Sequence, residues 1–300
     1  MPPPPAAAAT LDAPPSRAAD LGELLKPGIS LFVTVTAAAG YLFGTAGSID
    51  LARLVALLLG TALTAGGSGA LNHWMERAHD ARMRRTEQRP LPGGRISPGA
   101  VVAYGVATTA LGLALLLTFV NPLTTTLAAL TVVAYLLVYT PMKRWSSLNT
   151  LVGAVPGALP ALGGYAAATG TLGAAGWAIF AILFLWQLPH FMALAWMHRD
   201  DYARGGFVML PSQDPDGRST ALVSLAATLL LLIAGVVPAA LGVAGWLYLA
   251  GIAGLGTWFT LPAFSFYNEP TDARARRLLL ASIVYVPAFF GLVVLDHFLL

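Results

Sequence analysis

Long apolar runs, each about as long as a bilayer core is thick, alternate along the chain with shorter polar interruptions. Crossing about 30 Å of hydrocarbon takes roughly 20 apolar residues at helical rise. Nine runs reach that length, at 28–46, 51–71, 98–119, 123–141, 149–168, 173–196, 220–240, 243–266 and 278–299. Hydrocarbon offers no water to free backbone groups, so a run that crosses it alone must satisfy its own N–H and C=O groups as a helix. The pattern predicts an all-α, polytopic membrane protein with nine transmembrane helices.

Composition agrees with the pattern. The chain is 57% hydrophobic and 10% charged, against the roughly 25% charged of a soluble globular protein. It has no cysteine, which excludes disulfides, thiolate zinc sites and iron–sulfur clusters. Residues 1–23 are Pro- and Ala-rich and lack the apolar core of a signal peptide, so they read as a disordered cytoplasmic tail ahead of a membrane domain at 24–300. Of 17 Lys and Arg residues, all but Arg53 fall at the N-terminus or in the connections after even-numbered spans. Retention of basic residues on the cytoplasmic side places those connections and the N-terminus there, and the C-terminus opposite. The net charge of +3 carries no information beyond this placement. The expected partner is the lipid bilayer, with no nucleic acid.

Two of the connections on the basic side are longer than helix turns require. The first lies in GSGALNHWMERAHDARMRRTEQRPLPGG and places Asn72, Glu76 and Asp80 at i, i+4 and i+8. Each step turns the side chain only about 40° beyond a full turn, so the three oxygen donors share one helix stripe. An amide with carboxylates is a hard-oxygen set that suits Mg²⁺ bridging to phosphates. The plainer reading is a charged helix end paired with Arg77, Arg82 or Arg84; against it stands the apolar run that leads into Asn72.

The second long connection follows WQLPHFMALAWMHRDDYARGGFVMLP and brings Asp200 and Asp201 to the same side, where Arg199 and Arg204 could equally balance them. His190, about two turns inside the sixth span, suits a satisfied core histidine as well as a ligand or a proton carrier. The connection YTPMKRWSSLN offers Tyr139, Lys143 and Arg144 to clamp phosphate oxygens. Membrane anchoring alone would also explain these cations, and Lys26 ahead of Pro27 carries the same ambiguity. Gly66, Gly67 and Gly69, with the Gly153–Gly157 pair, are assigned to helix packing. No HExxH, GxSxG or Walker sequence occurs.

Taken together, N-x3-E-x3-D, RMRRTEQRPLPGG, YTPMKR, WQLPHF and DYARGGFVMLP resemble the UbiA superfamily of membrane prenyltransferases, and within it the haem-directed branch. The resemblance spans about residues 24–300. It implies nine helices around a central cavity and a Mg²⁺-bound prenyl diphosphate at the cytoplasmic end. It further implies transfer of farnesyl from farnesyl diphosphate to a vinyl group of haem b with addition of water, giving haem O. Carried over residue by residue, it makes Asn72, Glu76, Asp80 and Asp201 the metal ligands. Tyr139, Lys143 and Arg144 become the diphosphate-side loop, joined by Lys26, and Arg82, Arg85 and Arg89 the basic run. His190 becomes the haem-facing histidine, with haem b a substrate rather than a resident cofactor. The implied setting is the bacterial inner membrane, with haem A synthase or oxidase assembly proteins as candidate partners.

Two departures stand out. Glu76 occupies a position where the family often has Asp, and Ala78-His79 replaces an acidic–apolar pair. The nearest rival is a relative acting on an aromatic quinone precursor or chlorophyllide. A transporter would be expected to hold ionisable groups near the bilayer midplane, whereas the acidic residues here gather at the span ends.

Overall fold

The computed structural model describes residues 16–45 and 47–299. Eleven helices account for its regular structure: α1 Arg17–Leu24, α2 Pro27–Gly44, α3 Leu51–Asp80, α4 Pro98–Phe119, α5 Pro122–Met142, α6 Asn149–Thr169, α7 Ala174–Met197, α8 Arg199–Gly205, α9 Arg218–Ala240, α10 Trp246–Asn268 and α11 Asp272–Leu299. All except α1 and α8 are long and apolar enough to cross a membrane, which makes nine spans among the described residues, as the sequence pattern predicts. Their outer faces carry exposed Leu31, Leu117, Leu137, Ile233, Leu261 and Phe298, the surface a lipid-facing bundle presents.

Two boundaries differ from expectation for identifiable reasons. The second span does not give way to a connection at Asn72. Instead α3 continues for 30 residues to Asp80, because Asn72, His73, Glu76 and Asp80 are buried in the bundle rather than facing water. The supposed tail is the second case. Residues 1–15 lie outside the described residues, but residues 17–23 of it, with Leu24, form α1, capped by the Ser16 hydroxyl, which accepts from the Ala19 N–H at 3.2 Å. Leu24 is fully buried beside Ala70, Leu91 and Val101. Asp20 accepts from Arg95 Nε at 2.9 Å, which ties α1 to the connection at 81–97.

Close helix approach depends on missing side chains. A Cβ on Gly40 of α2 would lie 1.9 Å from the Ala161 carbonyl oxygen of α6, and one on Gly164 of α6 would lie 1.9 Å from the Ala37 oxygen of α2. Small residues on both helices thus let the two backbones touch, the usual way apolar helices associate in lipid. The largest core cluster runs from this seam, at Ala39 and Ala161, into α7, α9, α10 and α11, where Ile182, Trp186, Leu231, Phe259, Phe266, Tyr285 and Phe289 pack.

The helix α5 changes its winding over Ala134–Tyr139, which form a π-helical turn. The Thr140 N–H reaches back five residues to the Tyr135 carbonyl. Such turns are rare and concentrate at functional sites; this one widens the helix just ahead of Pro141. A narrow, mostly apolar cavity of about 40 Å³ lies between α2, α3, α5 and α6, lined by Val33, Leu57, Thr64, Ser68, Thr131 and Leu159 among others.

Candidate functional site

The long connections at 81–97 and 198–217 meet the short one at 143–148 over a single end of the bundle, and α3 brings its polar stripe up into them. Asn72 is fully buried, Asp80 is 1% exposed and Glu76 4%. Each is matched by a group from a different part of the chain. The Lys26 ammonium donates to Asn72 Oδ1 at 2.5 Å and to the Tyr135 hydroxyl at 3.3 Å. Lys143 Nζ donates to Glu76 Oε1 at 2.8 Å. Arg89 donates to Asp80 Oδ2 at 2.8 Å. Asn72 Nδ2 donates in turn to Thr140 Oγ1 at 2.9 Å, and Thr140 to the Tyr135 carbonyl at 2.8 Å. The π-helical turn is therefore part of the site.

Local structure explains each placement. Lys26 joins α1 to α2 in a left-handed conformation, φ 49°, the sole positive φ at a non-glycine among the described residues. Its side chain passes over Gly69, where a Cβ would come within 3.4 Å of Lys26 Cγ. Tyr139 lies against Gly153 in the same manner, at 2.5 Å from where a Cβ would stand. Lys143 Nζ is 4.5 Å from the Tyr139 ring centroid and 5.6 Å from that of Phe207, so two π faces surround its charge.

The electrostatics differ between the two lysines. Burial pulls Lys26 down to about 7, with Glu76 acting in the opposite direction. Burial works against Lys143 too, but Glu76 outweighs it and holds that ammonium above its ordinary value. Desolvation opposes the Asp201 charge; hydrogen bonds from Arg204 and from the Arg84 and Arg85 backbones overcome it and keep the carboxyl below its usual range.

Asp201 reaches this end but is occupied differently from the α3 acids. Its Oδ1 accepts from the Arg84 N–H at 2.9 Å and its Oδ2 from the Arg85 N–H at 3.3 Å, while Arg204 pairs with Oδ1. It thereby anchors the turn that follows α3. Asp200 is exposed. Of the expected phosphate clamp, Lys26, Lys143 and Arg89 engage the buried oxygens. Arg82 and Arg85 are exposed, Arg85 lying over the Tyr202 ring at 5.9 Å. Arg144 is exposed as well and donates to the Met75 carbonyl at 3.0 Å. His190 keeps to the α7–α11 contact, stacked on Trp186 with Nδ1 2.8 Å from Ser282 Oγ. The Ser282 hydroxyl proton is given to the Leu279 carbonyl, so His190 Nδ1 is the donor and Nε2 carries the lone pair.

Sequence reasoning passed over Tyr135, Thr140 and His79. The first two belong to the polar chain from Lys26 to α5. His79, at one of the departures noted above, donates from Nδ1 to the Gly205 carbonyl at 2.7 Å and stacks on Phe207 at 5.0 Å. It docks the connection at 198–217 onto α3. The Val208 N–H gives a 2.6 Å bond to the Lys143 carbonyl, which fastens that same connection to the one at 143–148.

The donor chemistry suits a hard divalent cation, since Asn72, Glu76 and Asp80 present oxygen alone. Glu76 Oε2 and Asp80 Oδ1 accept no hydrogen bond among the described residues. Three His, Asp or Glu side chains do not converge as a preformed cage among those residues. Each acid is instead balanced by a long cationic side chain.

A bundle of nine spans with a buried, cation-matched oxygen stripe at one end defines a class of membrane protein. The chain belongs to the UbiA prenyltransferase family, whose model matches residues 33–291. Among its relatives, the protoheme IX farnesyltransferase of Salinibacter ruber is 52% identical over 276 residues, covering 92% of this chain and 98% of that protein. The protoheme IX farnesyltransferase of Solibacter usitatus is 45% identical, over 93% of this chain and 98% of that protein. The fold is shared with a digeranylgeranylglyceryl phosphate synthase, at TM-score 0.79, 17% identity and coverage of 94% of this chain and 99% of the other. It is shared also with a UbiA homologue of Archaeoglobus fulgidus bound to DMAPP and Mg²⁺, at TM-score 0.64, 17% identity and coverage of 92% and 99%.

Proposed function

We propose that the chain is a protoheme IX farnesyltransferase, which moves the farnesyl group of farnesyl diphosphate onto a vinyl group of haem b, with addition of water, to give haem O and diphosphate. One observation carries the choice of acceptor: identity of 52% over nearly the whole chain with a protein of that name. The geometry supports the transfer chemistry.

In this reading Asn72, Glu76 and Asp80, with Asp201, would hold Mg²⁺, which when bound neutralises charge on the departing diphosphate. Lys26, Lys143 and Arg89 bind the phosphate oxygens. They are the side chains now spent on Asn72, Glu76 and Asp80, and a diphosphate offers them better acceptors. Exchange of partners is favourable because a buried ion pair contributes little net stability by itself. Loss of the allylic C–O bond leaves a cation, which an aromatic face such as that of Tyr135 would shield. The haem vinyl attacks it, and water adds to the resulting carbon centre and loses one proton, to the released diphosphate or to solvent, to leave the hydroxyl.

Below the site the apolar tail would follow the narrow cavity, whose helix walls would have to part to admit it. The cavity begins one turn beneath Asn72 at Ser68 and continues to Leu57, about 17 Å along α3, and its Leu and Val walls keep water from the first cation. His190 offers Nε2 toward haem iron. The bacterial inner membrane, with the basic end and N-terminus cytoplasmic, fits the one-sided placement of Lys and Arg.

Purified chain incubated with farnesyl diphosphate and either haem b or 4-hydroxybenzoate, with products separated by mass, tests the acceptor. A product gained from haem b alone is expected; one from 4-hydroxybenzoate alone would replace this reading with that of a quinone-precursor enzyme.

A further inference from the structure

One buried polar side chain beside the stripe has no use in the mechanism above. His73 is 2% exposed, and neither ring nitrogen has a hydrogen-bond partner among the described residues. Burying an imidazole unmatched costs free energy, so an unsatisfied one in a native structure calls for a specific cause. Other buried groups without partners have a bland one. Trp196 and Tyr285 belong to the apolar cluster, and Thr109 is wedged where α4 crosses Gly67. His73 is different because it stands next to Asn72, which Lys26 engages, and two turns before Asp80, which Arg89 engages.

Helix geometry places it at the site. Residues 73 and 80 point within about 20° of each other around α3, and 73 and 76 within about 60°. His73 therefore flanks the Asp80 edge of the stripe at the depth of Asn72, one turn above the glycine over which Lys26 passes. Lys26 itself is held there by a left-handed backbone, the kind of strain that persists where a side chain must be aimed. An imidazole N–H flanking a stripe that an ammonium and a guanidinium match suits an oxyanion, the shared chemistry of a diphosphate and of a haem propionate. The diphosphate is favoured because Lys26 and Arg89 already engage Asn72 and Asp80.

We propose that His73 is a further diphosphate-contacting residue, its imidazole donating to a phosphate oxygen held between Lys26 and Arg89. This rests on the functional reading above. The test uses the full chain in nanodiscs, with two probes in the presence of Mg²⁺: inorganic diphosphate and the non-reacting analogue S-farnesyl thiodiphosphate. His73→Phe should weaken binding of both by about tenfold while the melting temperature holds or rises, because an unmatched polar group has been removed. His73→Gln, which restores a donor, should recover most of the affinity.

Unchanged binding by His73→Phe overturns the proposal, as does a parallel loss of affinity and melting temperature in both variants. Haem b binding is measured in parallel, and a loss confined to it overturns the proposal in favour of a propionate contact. Asp80→Asn separates the two levels. If it too binds both probes normally, the reading of the whole site fails, whereas if it alone loses them, only the assignment of His73 does.

Discussion

Buried acids occur at both ends of this bundle, and they are satisfied in opposite ways. At the loop-poor end Asp296 is 8% exposed, and its two oxygens accept from the Gly245 N–H at 2.7 Å and the Tyr248 N–H at 3.1 Å. Those donors are fixed backbone groups at the start of α10, so the carboxylate acts as a cap and has nothing to exchange. At the other end Glu76 and Asp80 are balanced by Lys143 and Arg89, long side chains that can turn to another anion. A buried acid held by backbone is part of the scaffold; one held by long cationic side chains has partners that the proposed function requires to turn to a ligand. Asp201 combines both, with two backbone donors and Arg204.

Substitutions can break this comparison. The largest effect is expected for Asp80→Asn, where farnesyl transfer to haem b should fall by about 10²–10³-fold with the melting temperature nearly unchanged. Equal turnover by the variant would remove Asp80 from the site. Excess chelator should abolish transfer to a similar extent, and Mg²⁺ should restore it; full activity in chelator would count against the oxygen stripe as a metal site.

Asp201→Ala should act less directly. It frees the Arg84 and Arg85 N–H groups, at about 1–3 kcal/mol for each donor left unsatisfied. Hydrogen exchange across 82–86 should accelerate along with the loss of transfer. Activity lost without faster exchange would make Asp201 a plain ligand rather than an anchor.

The smallest effect on transfer belongs to Asp296→Ala. Loss of its cap should lower the melting temperature, again by about 1–3 kcal/mol per backbone donor, while turnover per folded molecule stays at the parent level. A specific loss of turnover would erase the distinction between the two ends.

Much of this organisation was legible beforehand. All nine spans could be located because hydrocarbon demands uninterrupted apolar helix, and the Asn72–Glu76–Asp80 stripe because helical spacing is local. What was missed came from contacts between distant segments. α1 looked like tail because its one buried acid pairs with Arg95, 75 positions away. The exposed Arg82, Arg85 and Arg144 could not be told from Lys26, Lys143 and Arg89 by sequence, since all six are cations near a membrane face and only packing decides which turn inward.

The sequence by itself determined the membrane class, the number and approximate positions of the spans, the charge asymmetry of the two ends and the identity of the oxygen donors. These follow from composition and period, which act over one or two helical turns. Tertiary structure alone decided how each donor is balanced. It set Lys26 against Asn72 across a glycine, gave Glu76 to Lys143, gave Asp80 to Arg89, and turned Asp201 into an anchor for the connection after α3. Those pairings depend on where loops separated by tens of residues come to rest, and on the cost of burying charge, which forces every buried acid there to find a partner.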